Sequence, residues 1–352
     1  MKRLASVLAP AVALTAALVV ACTVTAILAD SPLRAVSWLL AGPFRSRLIF
    51  GNLIASASRL ALAGTAAALA FRAGSFNLGG EGQALAGGLA AAALAIALPE
   101  LPKIAAVPLA VFAGMAAGAV TGGISGVLKS RWNVDELIST FLVSAAAVPV
   151  GGVLLGGPMK DPDSYLIAAP PLPEGYRLDA WMPPSRLGPA MIWAVLAAAA
   201  ALLFFAYSRR GYEWRLRGAS EAFARYGGLR TGAIATASLA VSGGLYGLAG
   251  TAALMDGGQA VQGFTGGLGW NGLAVALIAA TRPEFVPLAA LAYAWLDAGT
   301  RAAMTHTGFS VSLAGLVQAV VFLLVTARFG NTGAEGRLRR NGRGRPAAGS
   351  GP

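Results

Sequence analysis

The sequence predicts an all-α integral membrane protein with about ten transmembrane helices, arranged in two inverted five-helix repeats that include short broken helices. Three observations predict this. The 352 residues are 56% hydrophobic with only 12% charged and a mean hydropathy of +0.66, whereas a water-soluble domain carries about 25% charged residues. Uncharged apolar runs recur at bilayer length, about 20 residues for a helical crossing, the first from Leu4 to Ala29. A glycine-rich string beginning at Gly74 returns in altered form at Gly263.

Taken in order, the apolar segments are 4–29, 48–72, 82–98, 104–128, 137–157, 189–208, 231–254, 271–281, 285–298 and 309–327. The first follows Lys2 and Arg3 as a signal peptide would, but it is too long for a signal core. "ILADSP" also lacks a small-x-small cleavage site, so a retained span is expected. Segments 271–281 and 285–298 are each too short to cross straight. "TRPE" separates them, with Pro283 as a helix breaker, so they are either two half-spans or one kinked span.

Charge sets the orientation, because loops rich in Lys and Arg face the cytoplasm. Segment 209–230 carries Arg209, Arg210, Arg215, Arg217, Arg225 and Arg230 against Glu213 and Glu221, and the residues after Ala327 are also rich in arginine. Ten crossings place both termini, 129–136 and 209–230 in the cytoplasm and 158–188 outside. The discord is that Arg34, Arg45 and Arg47 then fall outside. The expected division is a first repeat over 1–157, a proline-rich extracytoplasmic loop over 158–188, a second repeat over 189–327 and a disordered basic tail over 328–352.

The net charge of +12 invites a nucleic-acid reading, but the positive residues gather in loops and tail as membrane topology requires. One cysteine, Cys22, and one histidine, His306, supply no disulfide framework, no metal cluster and no nucleophile–base constellation. A cofactor, a metal and catalysis on a bound substrate are therefore not expected.

"GSFNLGGEGQALAGGLAAA" from Gly74 and "GFTGGLGWNGLAVALIAA" from Gly263 both run glycine, aromatic, glycine-rich turn, polar residue, then a small-residue apolar helix. Either this is chance likeness between glycine-rich segments, or it is an internal repeat whose odd number of crossings inverts one half against the other. Short glycine-interrupted segments at matching positions point to a substrate path. Phe76, Asn77, Glu81, Gln83, Trp270 and Asn271 are its candidate lining residues. Irregular backbone at membrane depth requires protein or a water-filled cavity around it. Glu81 either lines that path or satisfies backbone donors at a helix N-terminus. Arg59 interrupts 48–72 and either snorkels, lines the path or marks a break in that helix.

The segment "GYEWRLRGASEAFARYGGLR" over 211–230 encodes a short helix. Ser220 supplies the cap, Glu221 suits the first turn, Arg225 lies at i,i+4 from it, and Gly227 and Gly228 end it. Such a helix either docks into a nucleotide-binding subunit or lies on lipid headgroups.

"FRAGSFNLGGEGQALAGG" resembles the signature of permease subunits of ATP-binding cassette importers for nucleosides and simple sugars, within the superfamily that also serves ribose and branched-chain amino acids. Phe71, Gly74, Phe76, Asn77, Gly79, Glu81, Gly82 and Gln83 match, with Leu78 in place of isoleucine. The resemblance continues at "NVDELIST" (133–140) and at "GFTGGLGWNGLAVALIA" (263–279). In the basic loop Arg215, Gly218, Ala224, Arg225, Tyr226 and Gly228 match, while Ser220 and Glu221 stand where Asn-Pro is usual. The resemblance implies that this loop couples to an ATPase. No G-x-x-x-x-G-K-[ST] string occurs, so ATP hydrolysis is assigned to a separate subunit. It further implies a second permease subunit, an extracytoplasmic substrate-binding (lipo)protein, residence in the cytoplasmic (inner) membrane, and nucleosides or simple sugars as cargo moved by alternating access. The competing reading is an ion-driven secondary transporter, which requires a carboxylate relay drawn from Glu81, Glu136, Asp256 and Asp297.

Overall fold

The computed structural model describes residues 19, 20, 22, 23, 25–27 and 31–307. Eleven α-helices over 32–307 account for most of it. They are α1 Pro32–Ala41, α2 Arg47–Arg72, α3 Gly80–Ala97, α4 Lys103–Trp132, α5 Glu136–Gly156, α6 Ala190–Tyr207, α7 Arg209–Ala219, α8 Glu221–Tyr226, α9 Thr231–Gly257, α10 Leu268–Ile278 and α11 Val286–Thr307. No strand occurs among the described residues. Within them a single antiparallel bridge joins Ala168 to Val261.

Among the described residues six helices, α2 to α6 and α9, are long and apolar enough to cross a membrane. The pair α10 and Pro283–Thr307 passes that test jointly but bends by 108° at its break. Proline at 283 removes a backbone donor and forbids a continuous helix there. Segment 271–298 forms two separate helices: α10 has 11 residues, while α11 has 22 and runs past the expected limit at Ala298 to Thr307. Of the ten expected crossings, 4–29 is described only in part, and 309–327 with the tail 328–352 lies outside the described residues. Two helices that hydropathy did not single out, α1 and α7, are also present.

Burial sorts the helices. In α2 the apolar window is 83% buried, against 22% in α4 and in α5. Helix α2 is thus a central post, and α4, α5 and α6 turn large side chains such as Phe112, Val153 and Leu196 outward, as a lipid-facing ring does.

The centre is built from small residues. Helices α4 and α9 run antiparallel, with Gly114, Gly118, Gly122 and Gly126 of α4 facing Thr251, Gly247, Gly243, Leu239 and Thr236 of α9. A Cβ on Gly118 would lie 2.2 Å from the Gly243 carbonyl oxygen, and one on Gly243 the same distance from the Gly118 carbonyl oxygen. Without a hydrophobic driving force between helices in lipid, this backbone approach supplies the packing. The packing pattern is paired: α9 packs on α3 and α4, and α2 packs on α10 and α11.

The two ends of the bundle differ. One end gathers Arg72, the α4–α5 turn, and the basic helices α7 and α8. At the other, segment 158–188 folds over the bundle as an ordered cap. Its Ala169 and Leu172 amides bond to the Ala260 and Gly258 carbonyls. Tyr176 is buried there and donates to the Leu98 carbonyl at 2.8 Å.

Candidate functional site

Segment 73–79 leaves α2 at the basic end and runs inward as non-helical chain until α3 starts at Gly80. Its side chains alternate in environment. Ser75 and Asn77 are buried, while Phe76 is 50% exposed. Asn77 and Gln83 pair reciprocally: each amide nitrogen donates to the other's oxygen, at 2.8 and 3.0 Å. Asn77 also donates to Ser242 Oγ on α9 at 2.9 Å and accepts the Gly79 amide. Ser242 in turn donates to the Ala66 carbonyl of α2. This closed set satisfies the polar groups that irregular backbone exposes inside a membrane. It also places the turn halfway along α9.

Helix α5 holds the turn from the other side. Asp135 caps α5, accepting the Leu137 amide at 2.8 Å. Thr140 Oγ1 accepts the Leu78 amide and Ser144 Oγ the Gly82 amide. The second resembled string, 133–140, therefore starts the helix that braces the first string.

Residues 263–267 descend from the capped end, and α10 starts at Leu268. The N-termini of α3 and α10 meet there. A Cβ on Gly269 would lie 2.0 Å from the Glu81 amide nitrogen, so only glycine permits the approach. Glu81 lies in the first turn of α3. Its carboxylate accepts the Gly269 amide of α10 at 2.8 Å and the Thr265 hydroxyl at 2.5 Å. Glu81 thus satisfies a backbone donor at a helix N-terminus, and that helix is α10 and not its own. Two helix N-termini favour negative charge at this carboxylate together.

The six candidate residues lie around this junction but do not face one common space. Asn77 and Gln83 are buried against each other. Trp270 and Phe141 of α5, both half-exposed, face each other edge-on at 6.4 Å between centroids, while the half-exposed Phe76 packs on Phe71 of α2 at 5.0 Å. Asn271 turns toward α11 and accepts the Tyr293 hydroxyl at 2.8 Å. Sequence reasoning missed Phe141, Thr265 and Tyr293, because no local pattern marks them.

Asn271, Thr265 and Tyr293 border a crevice of about 170 Å³ also lined by Arg59, Arg186 and Arg301. Arg59 pairs with Asp256 of α9 at 2.7 Å. Since α2 is continuous from Arg47 to Arg72, Arg59 marks no break in it. Its ion pair and the crevice replace the snorkelling reading.

In the basic loop the encoded helix forms at α8. Ser220 Oγ accepts the Phe223 amide at 3.2 Å, Glu221 pairs with Arg225 at 3.1 Å, and Gly228 ends the helix at φ +81°. Ala224 is buried, while Phe223 and Tyr226 project, Tyr226 at 92% exposure. Arg215 stacks near Tyr212, and Gly218 packs on the Arg72 carbonyl. Sequence reasoning counted Arg217 among loop charges. It is instead buried, and its guanidinium contacts Glu136 at 2.7 Å.

A bundle of apolar helices around a glycine-lined, hydrogen-bonded re-entrant turn, with a capped basic loop at one end, has the architecture of a membrane-transport component rather than an enzyme. The comparisons make the assignment specific. The family model described as "Branched-chain amino acid transport system / permease component" matches residues 49–326, and the chain belongs to this family. It is similar to a probable riboflavin import permease protein of Treponema pallidum, with 29% identity over 90% of this chain and 83% of that one. A guanosine ABC transporter permease protein of Bacillus subtilis is 29% identical over 97% and 99% of the two chains. A glucose ABC transporter permease protein of Haloferax volcanii is 29% identical over 91% and 87%. No solved structure matches it significantly.

Proposed function

We propose that the chain is the transmembrane subunit of an importer that moves nucleosides, or simple sugars next, inward across the cytoplasmic membrane by alternating access. An ATP-binding cassette ATPase docks on 209–230, a second permease subunit completes the pathway, and an extracytoplasmic binding (lipo)protein delivers cargo. In this reading the fold comprises two inverted five-helix repeats of ten crossings, both termini lie in the cytoplasm, and the division is 1–157, 158–188, 189–327 and 328–352. The paired packing of α2 with α10 and α11 and of α9 with α3 and α4 supports the repeat.

The observation that carries the reading is the meeting of the α3 and α10 N-termini at Glu81, next to the half-exposed pair of rings Phe141 and Trp270. Aromatic faces suit a nucleobase or a sugar face. Relatives named for guanosine and riboflavin transport carry cargo with the same combination of ring and polyol.

The ion-driven alternative needs a carboxylate that exchanges protons or ions. Instead, Asp256 is held by Arg59, Asp297 by Arg301, Glu136 by Arg217, and Glu81 by Thr265 and Gly269. The deciding measurement is uptake of radiolabelled guanosine into proteoliposomes holding the chain, its ATPase and the binding protein. Uptake requiring ATP is expected, and uptake by the chain alone under an ion gradient overturns the proposal.

A further inference from the structure

We infer that Arg217 is the positioning residue through which displacement of the basic loop reaches the Phe76–Gln83 turn. This rests on the reading of 209–230 as the ATPase-facing loop. Arg217 stands on the last turn of α7 with its side chain 2% exposed. One guanidinium nitrogen donates to the Ala73 carbonyl at 2.8 Å and to Ser75 Oγ at 2.7 Å, and the other donates to Glu136 Oε1 at 2.7 Å. The next residue, Gly218, abuts the backbone: a Cβ there would lie 2.3 Å from the Arg72 carbonyl oxygen. No side chain separates α7 from the root of the turn.

Two of the three acceptors, the Ala73 carbonyl and Ser75 Oγ, lie at the root of the turn itself, and the third, Glu136, opens the support α5. Ser75 also accepts from Ser238 of α9, and Asn77 bonds Ser242 one helical turn along the same helix. Glu136 opens α5, whose Thr140 and Ser144 hold the Leu78 and Gly82 amides. A single planar fork thus bonds the loop to the root of the turn and to the start of α5, and reaches α9 through Ser75. The fixed donor geometry of a guanidinium makes these contacts simultaneous, where an ammonium would make them singly. Separating the buried pair would leave an uncompensated charge in a low dielectric. A push on α7 therefore carries 73–75 and the start of α5 with it instead of sliding past them.

The test uses the full-length permease with its ATPase in proteoliposomes, in a Cys22→Ser background with Phe76→Cys as reporter. The rate of maleimide labelling is compared with and without ATP plus vanadate. Without further change, trapping nucleotide should alter the rate at least about threefold. Arg217→Gln should abolish that alteration while the ATPase copurifies in the same ratio. A merely structural role for Arg217 would lower the melting temperature and leave the nucleotide response whole, and that result overturns the inference. Should Arg217→Gln fail to assemble, Glu136→Gln, which keeps volume and an acceptor oxygen, decides: a response cut at least twofold supports the inference, and a full response overturns it. Uptake of guanosine is followed separately with the wild-type chain, so a wrong substrate reading shows as absent uptake there with the labelling response of the reporter intact. A wrong reading of the loop shows as an ATPase that copurifies undiminished with Phe223→Ser/Tyr226→Ser.

Discussion

The Glu81 carboxylate accepts the Gly269 amide across 2.8 Å, tying the first turn of α3 to the first turn of α10. Each helix leaves free N–H groups at its start, and in lipid no water is there to take them. One side chain serves the second helix while its charge complements both dipoles. The bond is also a contact between sequence positions 188 residues apart, so it ties two distant stretches of the chain together.

The first prediction follows from that bond. Glu81→Gln keeps an acceptor but loses the charge, which should cost about 0.3–2 kcal/mol from the helix-end interaction. Glu81→Ala also strips the Gly269 amide and the Thr265 hydroxyl of their acceptor, adding about 1–3 kcal/mol. Thermal melting in detergent should rank wild type above Glu81→Gln and Glu81→Ala lowest. Equal melting of all three contradicts the capping role.

The α4–α9 seam gives the second. Gly243→Ala puts a methyl 2.2 Å from the Gly118 carbonyl oxygen, so the helices must part, at a cost of roughly 1–3 kcal/mol or more. Gly123→Ala on the same helix α4 meets only Ala240 Cβ at 3.7 Å and should melt as wild type. A Gly243→Ala protein as stable as Gly123→Ala would mean the seam is looser than described.

The ion pair of Arg59 and Asp256 should respond asymmetrically. Asp256 is 2% exposed and Arg59 21%, the latter opening on the crevice. Arg59→Leu strands a buried carboxylate and should cost about 3–5 kcal/mol. Asp256→Leu leaves an arginine that still reaches water and should cost less. The double variant should be milder than Arg59→Leu, as removal of both charges typically is. Chemical denaturation of the three proteins checks the order, and a reversed order refutes it.

The basic loop separates folding from docking. Ser220→Ala removes the α8 cap, costing about 0.5–2 kcal/mol of local helix stability. It should raise amide exchange over 221–226 without lowering the global melt. Phe223→Ser and Tyr226→Ser alter exposed rings and should leave folding untouched while weakening ATPase copurification at least about fivefold. Copurification that survives both substitutions places the docking surface elsewhere.

Sequence legibility followed the range of the forces. Helix α8 was readable to the residue because its cap, ion pair and terminating glycine all lie within eight positions of one another. Helices α2 to α6 and α9 were readable because lipid imposes length and apolarity on each separately. The fate of Arg217 was not, since loop charge counts cannot tell a solvated arginine from one that meets Glu136 of another helix. Nor was the direction of Asn271, which depends on Tyr293. The 74–83 string announced a polar turn, but whether Glu81 faced cargo or capped a helix depended on where Gly269 arrived.

The glycine seam also constrains how the polypeptide is made. Its two faces lie on helices separated by the whole of 133–230, and Ser238 and Ser242, which complete the bonds around Ser75 and Asn77, belong to the later one. A ribosome that has released α4 has inserted a bare groove with nothing to seat in it. The nascent half must wait, shielded by lipid or an insertase, until α9 leaves the translocon. Maturation of this molecule is therefore a late closure, and damage to α9 should present in the cell as degradation of the entire product.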